Sequence, residues 1–368
     1  MIFRIINLIL ALFVFGFIYQ KAVTQSFYNW DAIAYTMAVQ LDEGKTTEEA
    51  HEYTYKTLES EVDSGLFNAL CCSGQYRQDQ YSSPDNLKSM MPMYALKPGY
   101  ILLIRAVKGL TGMSEYQSMK YISLVSSLIL AFIFFIASFW QKGLLQFLWI
   151  PLVFFSQILF LGKLMTPDAV TTVVFIGSIY FLLRKNLYIS FLLMGLALTF
   201  RPDMIVAAGL LGLLPALDKN YRMAIFNSIL FLSIYFLIST SIDHNGWWSH
   251  FYTSLVSTQS NLDAFNPVFD LNKYREILLG NLNWVLNDMN YITWFATTFI
   301  ILITSSYLLS EQKNSWINII SVVLALSIFV KFLIFPKVDA RVYLAILVPA
   351  IYVFSFNLFS PKERIDST

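Results

Sequence analysis

Long apolar stretches separated by short polar turns dominate this chain. Candidate membrane spans fall at 3–20, 120–140, 144–162, 168–184, 187–200, 203–217, 222–240, 290–309, 316–335 and 342–359. A hydrocarbon core of about 30 Å needs about 20 apolar residues per helix, so the pattern predicts an all-α polytopic membrane protein with about ten transmembrane helices in a single domain, residues 1–368. Two polar interruptions are long. Residues 21–119 form a first outer loop and residues 241–289 a second.

The first outer loop has helical periodicity of its own. Trp30, Ile33, Ala34, Met37, Ala38 and Leu41 recur as one apolar stripe. Thr46 with Glu49 forms a capping box that opens a second, more acidic helix. Ser83-Pro84 marks another helix start. Pro98-Gly99 precedes an amphipathic run from Tyr100 that ends near Gly109 or Gly112. These amphipathic helices are expected to lie on the membrane surface. In the second loop, Trp247, Trp248, Phe251, Tyr252 and Trp284 suit an interfacial aromatic belt.

The distribution of basic residues orients the chain. Arg4 sets the N-terminus inside, and Lys142, Arg184, Lys185, Lys219, Arg222, Lys313, Lys362 and Arg364 then fall on the same inner side. Segments 187–200 and 203–217 are each short. They read either as two spans or as one helix kinked at Pro202, and the second reading would move Arg341 to the other face.

Composition agrees with a membrane protein: 57% of the residues are hydrophobic and 13% charged. A net charge of +1 gives no argument for a nucleic-acid partner. The only cysteines are the adjacent Cys71 and Cys72, and no Cys/His spacing suggests zinc.

Four ionisable residues at span ends stand out: Asp31, Asp168, Arg201 and Arg341, all on the outer face in the two-span reading. Ionisable groups at membrane depth are expensive and mark functional cavities. Asp31 reads as a general base for an acceptor group, or simply as a carboxylate favoured by a helix dipole. Asp168 follows Thr166-Pro167, an ordinary helix start with Thr as cap, or it orients a substrate. Arg201 and Arg341 carry planar guanidinium forks suited to phosphate, with Lys163 and Lys337 as added positive charge. The alternative for both arginines is snorkelling, or pairing with Asp203 and Asp339. Two carboxylates on one face could also share a divalent cation; no other cofactor is indicated.

The pattern Asp31-x-x-x-Tyr35 after the first span, Pro98-Gly99-Tyr100 before the second, Asp168 heading a span, Arg201-Pro202 between short helices and Arg341 leading into a span with Pro349 resembles the GT-C glycosyltransferases, in particular the protein mannosyltransferase and aminoarabinose transferase branch. The resemblance implies a bacterial inner-membrane enzyme with its site facing the periplasm. It would move a sugar from a polyprenyl-phosphate donor to a glycan, lipid or protein acceptor, probing the bilayer for its donor. Asp31 and Asp168 would be catalytic, with Tyr35, Lys163, Arg201, Lys337 and Arg341 binding substrate. The chain departs from many relatives in having Ala32 rather than an acid after Asp31. Competing readings are a transporter or flippase for an anionic lipid or solute, a surface-polysaccharide polymerase or ligase, and a non-catalytic membrane scaffold.

Overall fold

The computed structural model describes residues 2–242, 244–311 and 315–359. Lys313, Lys362 and Arg364, used above to orient the chain, lie outside the described residues. Every regular element is a helix, and among the described residues the one isolated β pairing joins Phe27 to Leu164.

Helix α1 (Ile2–Thr24) leads into a cap of shorter helices: α2 (Trp30–Asp42), α3 (Thr47–Glu61), α4 (Ser64–Cys71), α5 (Gln75–Ser82), α6 (Pro84–Ser89), α7 (Met91–Ala95) and α8 (Pro98–Thr111). Their boundaries follow the local signals. Asn29 caps α2 by accepting from Ala32 N, the Thr46/Glu49 capping box starts α3, and Ser83 caps α6. Gly112, at φ 72°, ends α8 in the left-handed conformation that glycine adopts without strain. One expectation fails. Helix α2 is not half-exposed on a surface, because every residue from Ala32 to Gln40 is buried. Ala34, Ala38 and Thr36 are small enough to let α3, α7, α8 and the next helix close on α2 from several sides.

The bundle begins with α9 (Glu115–Phe139), α10 (Trp149–Phe155), α11 (Ile158–Lys163), α12 (Asp168–Leu183), α13 (Leu187–Phe200), α14 (Ile205–Gly212) and α15 (Tyr221–Thr240). The second outer loop carries α16 (Gly246–Leu255) and α17 (Leu271–Asn287); α18 (Met289–Ser310), α19 (Ser315–Ile334) and α20 (Arg341–Phe359) complete the chain. Five helical stretches are long and apolar enough to cross a membrane: Ile2–Thr24, Glu115–Phe139, Tyr221–Thr240, Tyr291–Ser310 and Trp316–Ile334. The other apolar helices are shorter or broken. The predicted span 144–162 is interrupted at Gln157, whose φ of 56° separates α10 from α11.

Exposed Leu8, Leu12 and Phe13 on α1 and Ile225, Ile229 and Phe236 on α15 mark lipid-facing sides. Helix α20, by contrast, is buried at every position from Tyr343 to Val353 and runs through the bundle centre. Near the start of α1, buried Asn7 accepts from Trp149 Nε1 at 2.8 Å and donates to the Gln146 carbonyl at 3.1 Å, clasping α1 to α10.

Residues 187–217 double back in the fold. Arg184, which ends α12, Tyr188, at the start of α13, and Asn220 and Met223, at the start of α15, line one cavity. The chain therefore leaves that end along α13, turns at Arg201, and returns along α14 and the 3-10 turn Leu214–Asp218. Arg341 stays at the same end as Asp31, as its ion pair below requires.

Close helix approach depends on small residues. A Cβ on Gly162 would lie 2.9 Å from the Cβ of Ser127 on α9. Gly162→Leu should lower stability by about 1–3 kcal/mol through overpacking, read as a reduced thermal midpoint in detergent. An unchanged midpoint would contradict the described α9–α11 contact.

Candidate functional site

Asp31 occupies the first turn of α2, where the helix dipole favours a carboxylate. Arg341, the first residue of α20, reaches it with Nη1 at 2.9 Å and bonds Asp339 through Nε at 2.9 Å. The Tyr94 hydroxyl donates to Asp31 Oδ1 at 3.0 Å. Burial pushes the Asp31 carboxyl up, but Arg341, Lys97 and Tyr94 outweigh it and hold it below the usual carboxylate range. In this state Asp31 is ionised and a weak base. The pair is not sealed off: the Asp31 and Arg341 side chains are 26% and 25% exposed.

A second, deeper cluster forms where α13 ends. Arg201 adopts an extended backbone (φ −147°, ψ 100°), so the helix cannot continue into Pro202. Its Nε and Nη2 grip Asp203 at 3.1 and 2.8 Å, and its Nη1 pairs with Asp168. Lys331 from α19 completes the cluster, 2.6 Å from Asp203 and 2.5 Å from the Val342 carbonyl. Thr166 also differs from expectation. Pro167 is the N-cap position and has no side-chain cap bond, while the Thr166 hydroxyl donates to the Asp168 carboxylate. Asp168 is thus buried and held by Thr166 and Arg201. Arg201 keeps two of its five N–H groups beyond the three engaged here.

Lys97 links the two clusters. Its ammonium lies 5.1 Å from the Tyr35 ring centroid and 5.0 Å from that of Tyr94. Burial, the largest influence, pushes it down to about 8, with Asp31, Arg201, Asp203 and Arg341 all close enough to act on it. Tyr35 is buried between Tyr94 and Tyr100, at ring distances of 5.2 and 5.0 Å. It shapes the floor under Lys97. Four carboxylates (Asp31, Asp168, Asp203, Asp339) thus face five cations (Lys97, Arg201, Lys331, Lys337, Arg341), leaving one positive charge in excess.

The second outer loop closes over this region. Gln80 donates to the Ser260 carbonyl at 2.6 Å, Ser260 donates to Asp79 at 2.6 Å, and Leu262 N donates to Ser89 Oγ at 3.0 Å. Lys337 donates to the Ser254 carbonyl at 3.3 Å. Trp248 and Phe251 stack at 5.0 Å as the loop's own core, while Trp247 and Trp284 are the exposed members of the expected belt. His250, packed on Phe335 at 5.5 Å, is pushed down to about 3, chiefly by burial, then by His244 and Lys97.

Of the residues singled out in the sequence, the fold joins Asp31, Tyr35, Arg341 and Lys337 at the outer cluster and Asp168 with Arg201 below it. Lys163 stands apart, its ammonium turned to Gln25 at 3.4 Å. Lys97, Lys331, Tyr94 and His250 were missed. Lys97 directly precedes Pro98-Gly99-Tyr100, and Lys331 is a charge inside a predicted span; both signals were present. Among the described residues no group of three or more His, Cys, Asp or Glu is arranged to hold a metal ion. Asp31 and Asp168 are each engaged by an arginine. Buried donors with no hydrogen-bond partner flank the site: Asn29 Nδ2 and Trp30 Nε1 beside Asp31, and His244 Nε2. Such donors cost about 1–3 kcal/mol each until an acceptor meets them.

Comparison with known proteins finds no matching family, curated protein or solved structure.

Two measurements check this geometry. Burial pushes Lys97 down to about 8, so labelling of its amine by a limiting acylating reagent should rise with a midpoint near pH 8; a midpoint at the ordinary lysine value near 10.4 would contradict its burial. Asp168→Ala should destabilise by about 3–5 kcal/mol by stranding Arg201. The double substitution with Arg201→Ala should cost less than the sum of the singles, and strict additivity would show that the pair is not coupled.

Proposed function

We propose that this chain is a membrane glycosyltransferase of the GT-C kind, crossing the bilayer ten times and using a sugar linked to a polyprenyl phosphate as donor. The observation that carries the reading is the Asp31–Arg341 pair. A carboxylate that can become a base is held, partly exposed, by a guanidinium suited to phosphate, within a cluster of charges that is net positive. The apolar bundle supports a bilayer setting for the donor's tail.

In this reading the donor phosphate is met by Arg341 and Lys97, while Arg201 supplies its two remaining N–H groups and the deeper field. Drawing Arg341 toward phosphate weakens its hold on Asp31, whose proton affinity then rises. The acceptor oxygen or nitrogen attacks the sugar C1 and gives its proton to Asp31. The bond from C1 to the phosphate oxygen breaks with its electron pair on the phosphate, releasing polyprenyl phosphate, and the sugar carbon inverts. Asn29 and Trp30 offer donors to sugar oxygens. Asp168 braces Arg201. The site opens to the periplasmic side of a bacterial inner membrane, and the acceptor is a glycan, lipid or protein on that side.

A transporter of anionic lipid or solute would use the same cations. The break at Gln157, a second interruption besides the Arg201 turn, is the observation in its favour. Asp31→Asn separates the two. The variant should remain folded with the parent's thermal midpoint and lose transfer from polyprenyl-phosphate sugar by about 10²–10⁴-fold. Transfer equal to the parent would end the assignment of Asp31 as base, and transport without transfer in both proteins would favour the carrier.

A further inference from the structure

The end of the bundle opposite Asp31 carries a different feature. An open cavity of about 420 Å³ lies between the α12–α13 turn and the start of α15, lined by Arg184, Lys185, Asn186 and Tyr188 on one side and Asn220 and Met223 on the other. We propose that this cavity binds the phosphate headgroup of an anionic phospholipid of the inner leaflet.

Two cations line it and two more lie close by in the chain. Arg184 and Lys185 line the cavity, and Lys219 and Arg222 flank Asn220 in the chain. Among the described residues none of the four forms an ion pair. The Arg184 guanidinium lies over the Tyr180 ring at 5.6 Å, which holds it at the rim. Asp218, next to Lys219, is the nearby carboxylate in sequence. Lys185 and Lys219 both adopt positive φ, at 57° and 60°, ending one helical segment so that the next can begin at the cavity.

The backbone adds to the charge. Helices α13 and α15 both start at the cavity, so two N-termini contribute partial positive charge and free N–H groups to one anion position. Asn186 and Asn220 each satisfy one of those groups, through Ile189 N and Met223 N. The first-turn groups before them remain for a ligand.

What selects a lipid over a free anion is the wall below. Exposed Leu192 and Leu196 on α13 and Ile225 and Ile229 on α15 run from the cavity toward the middle of the bundle. They offer a track for acyl chains, which inorganic phosphate could not use. Basic residues that only fix membrane orientation would need neither a shared cavity nor this track.

The test uses the full chain in nanodiscs, with lipid retained on the protein counted by native mass spectrometry. Phosphatidylglycerol should be retained over phosphatidylcholine. Arg184→Gln with Lys185→Gln should weaken phosphatidylglycerol retention by about fivefold per charge removed. Inorganic phosphate at millimolar concentration should not displace the lipid. Equal retention of the two lipids, or undiminished phosphatidylglycerol on the variant, would overturn the proposal. Displacement by phosphate alone would overturn the lipid as its source. Lys185→Gln alone, at an exposed turn, serves if the double variant does not fold.

Discussion

A guanidinium that cannot shed its proton, set between two short helices inside an apolar bundle, is the constraint around which the outer half is arranged. Arg201 must be neutralised, and Asp203 from its own turn and Asp168 from the start of α12 do so. Those two carboxylates then call for Lys331 from α19. Three separate parts of the chain are therefore fixed to one another by charge. Breaking such a buried network at one member costs far more than its net contribution to stability, because the remaining charges are left uncompensated.

The same constraint sets the geometry of the upper pocket. With the deep cluster self-neutralised, the positive excess falls toward Lys97, Lys337 and Arg341, where side chains remain partly accessible. Asp31 sits among them, ionised and restrained. The two layers divide the work: the lower one holds the turn and the field, and the upper one faces whatever enters beneath the second outer loop. Asp168 lies in the lower layer, buried between Thr166 and Arg201.

Much of this was legible in the residues, and the gaps have physical causes. Apolar periodicity located the helices, and caps such as Thr46/Glu49 and Ser83-Pro84 fell where they were read. The burial of α2 was not legible, because an apolar stripe says which face is buried first but not how many neighbours close on the rest. The break at Gln157 was hidden inside a continuous apolar run, with no glycine or proline to mark the left-handed residue. Arg201, Arg341 and Asp31 announced themselves by depth. Lys97 did not, because a lysine before Pro98 looks like a loop charge until Tyr35 and Tyr94 are folded against it. The pairing of Asp31 with Arg341, 310 positions away in the chain, is a tertiary fact that local pattern cannot carry.

The most direct test of the pocket as a phosphate site is an electron cryo-microscopy map of the full chain with polyprenyl phosphate bound. The expected result is phosphate density within hydrogen-bond distance of Arg341 and Lys97, with the Arg341–Asp31 distance lengthened from 2.9 Å. A phosphate found elsewhere on the protein, with the Asp31–Arg341 pair unchanged, would contradict the account.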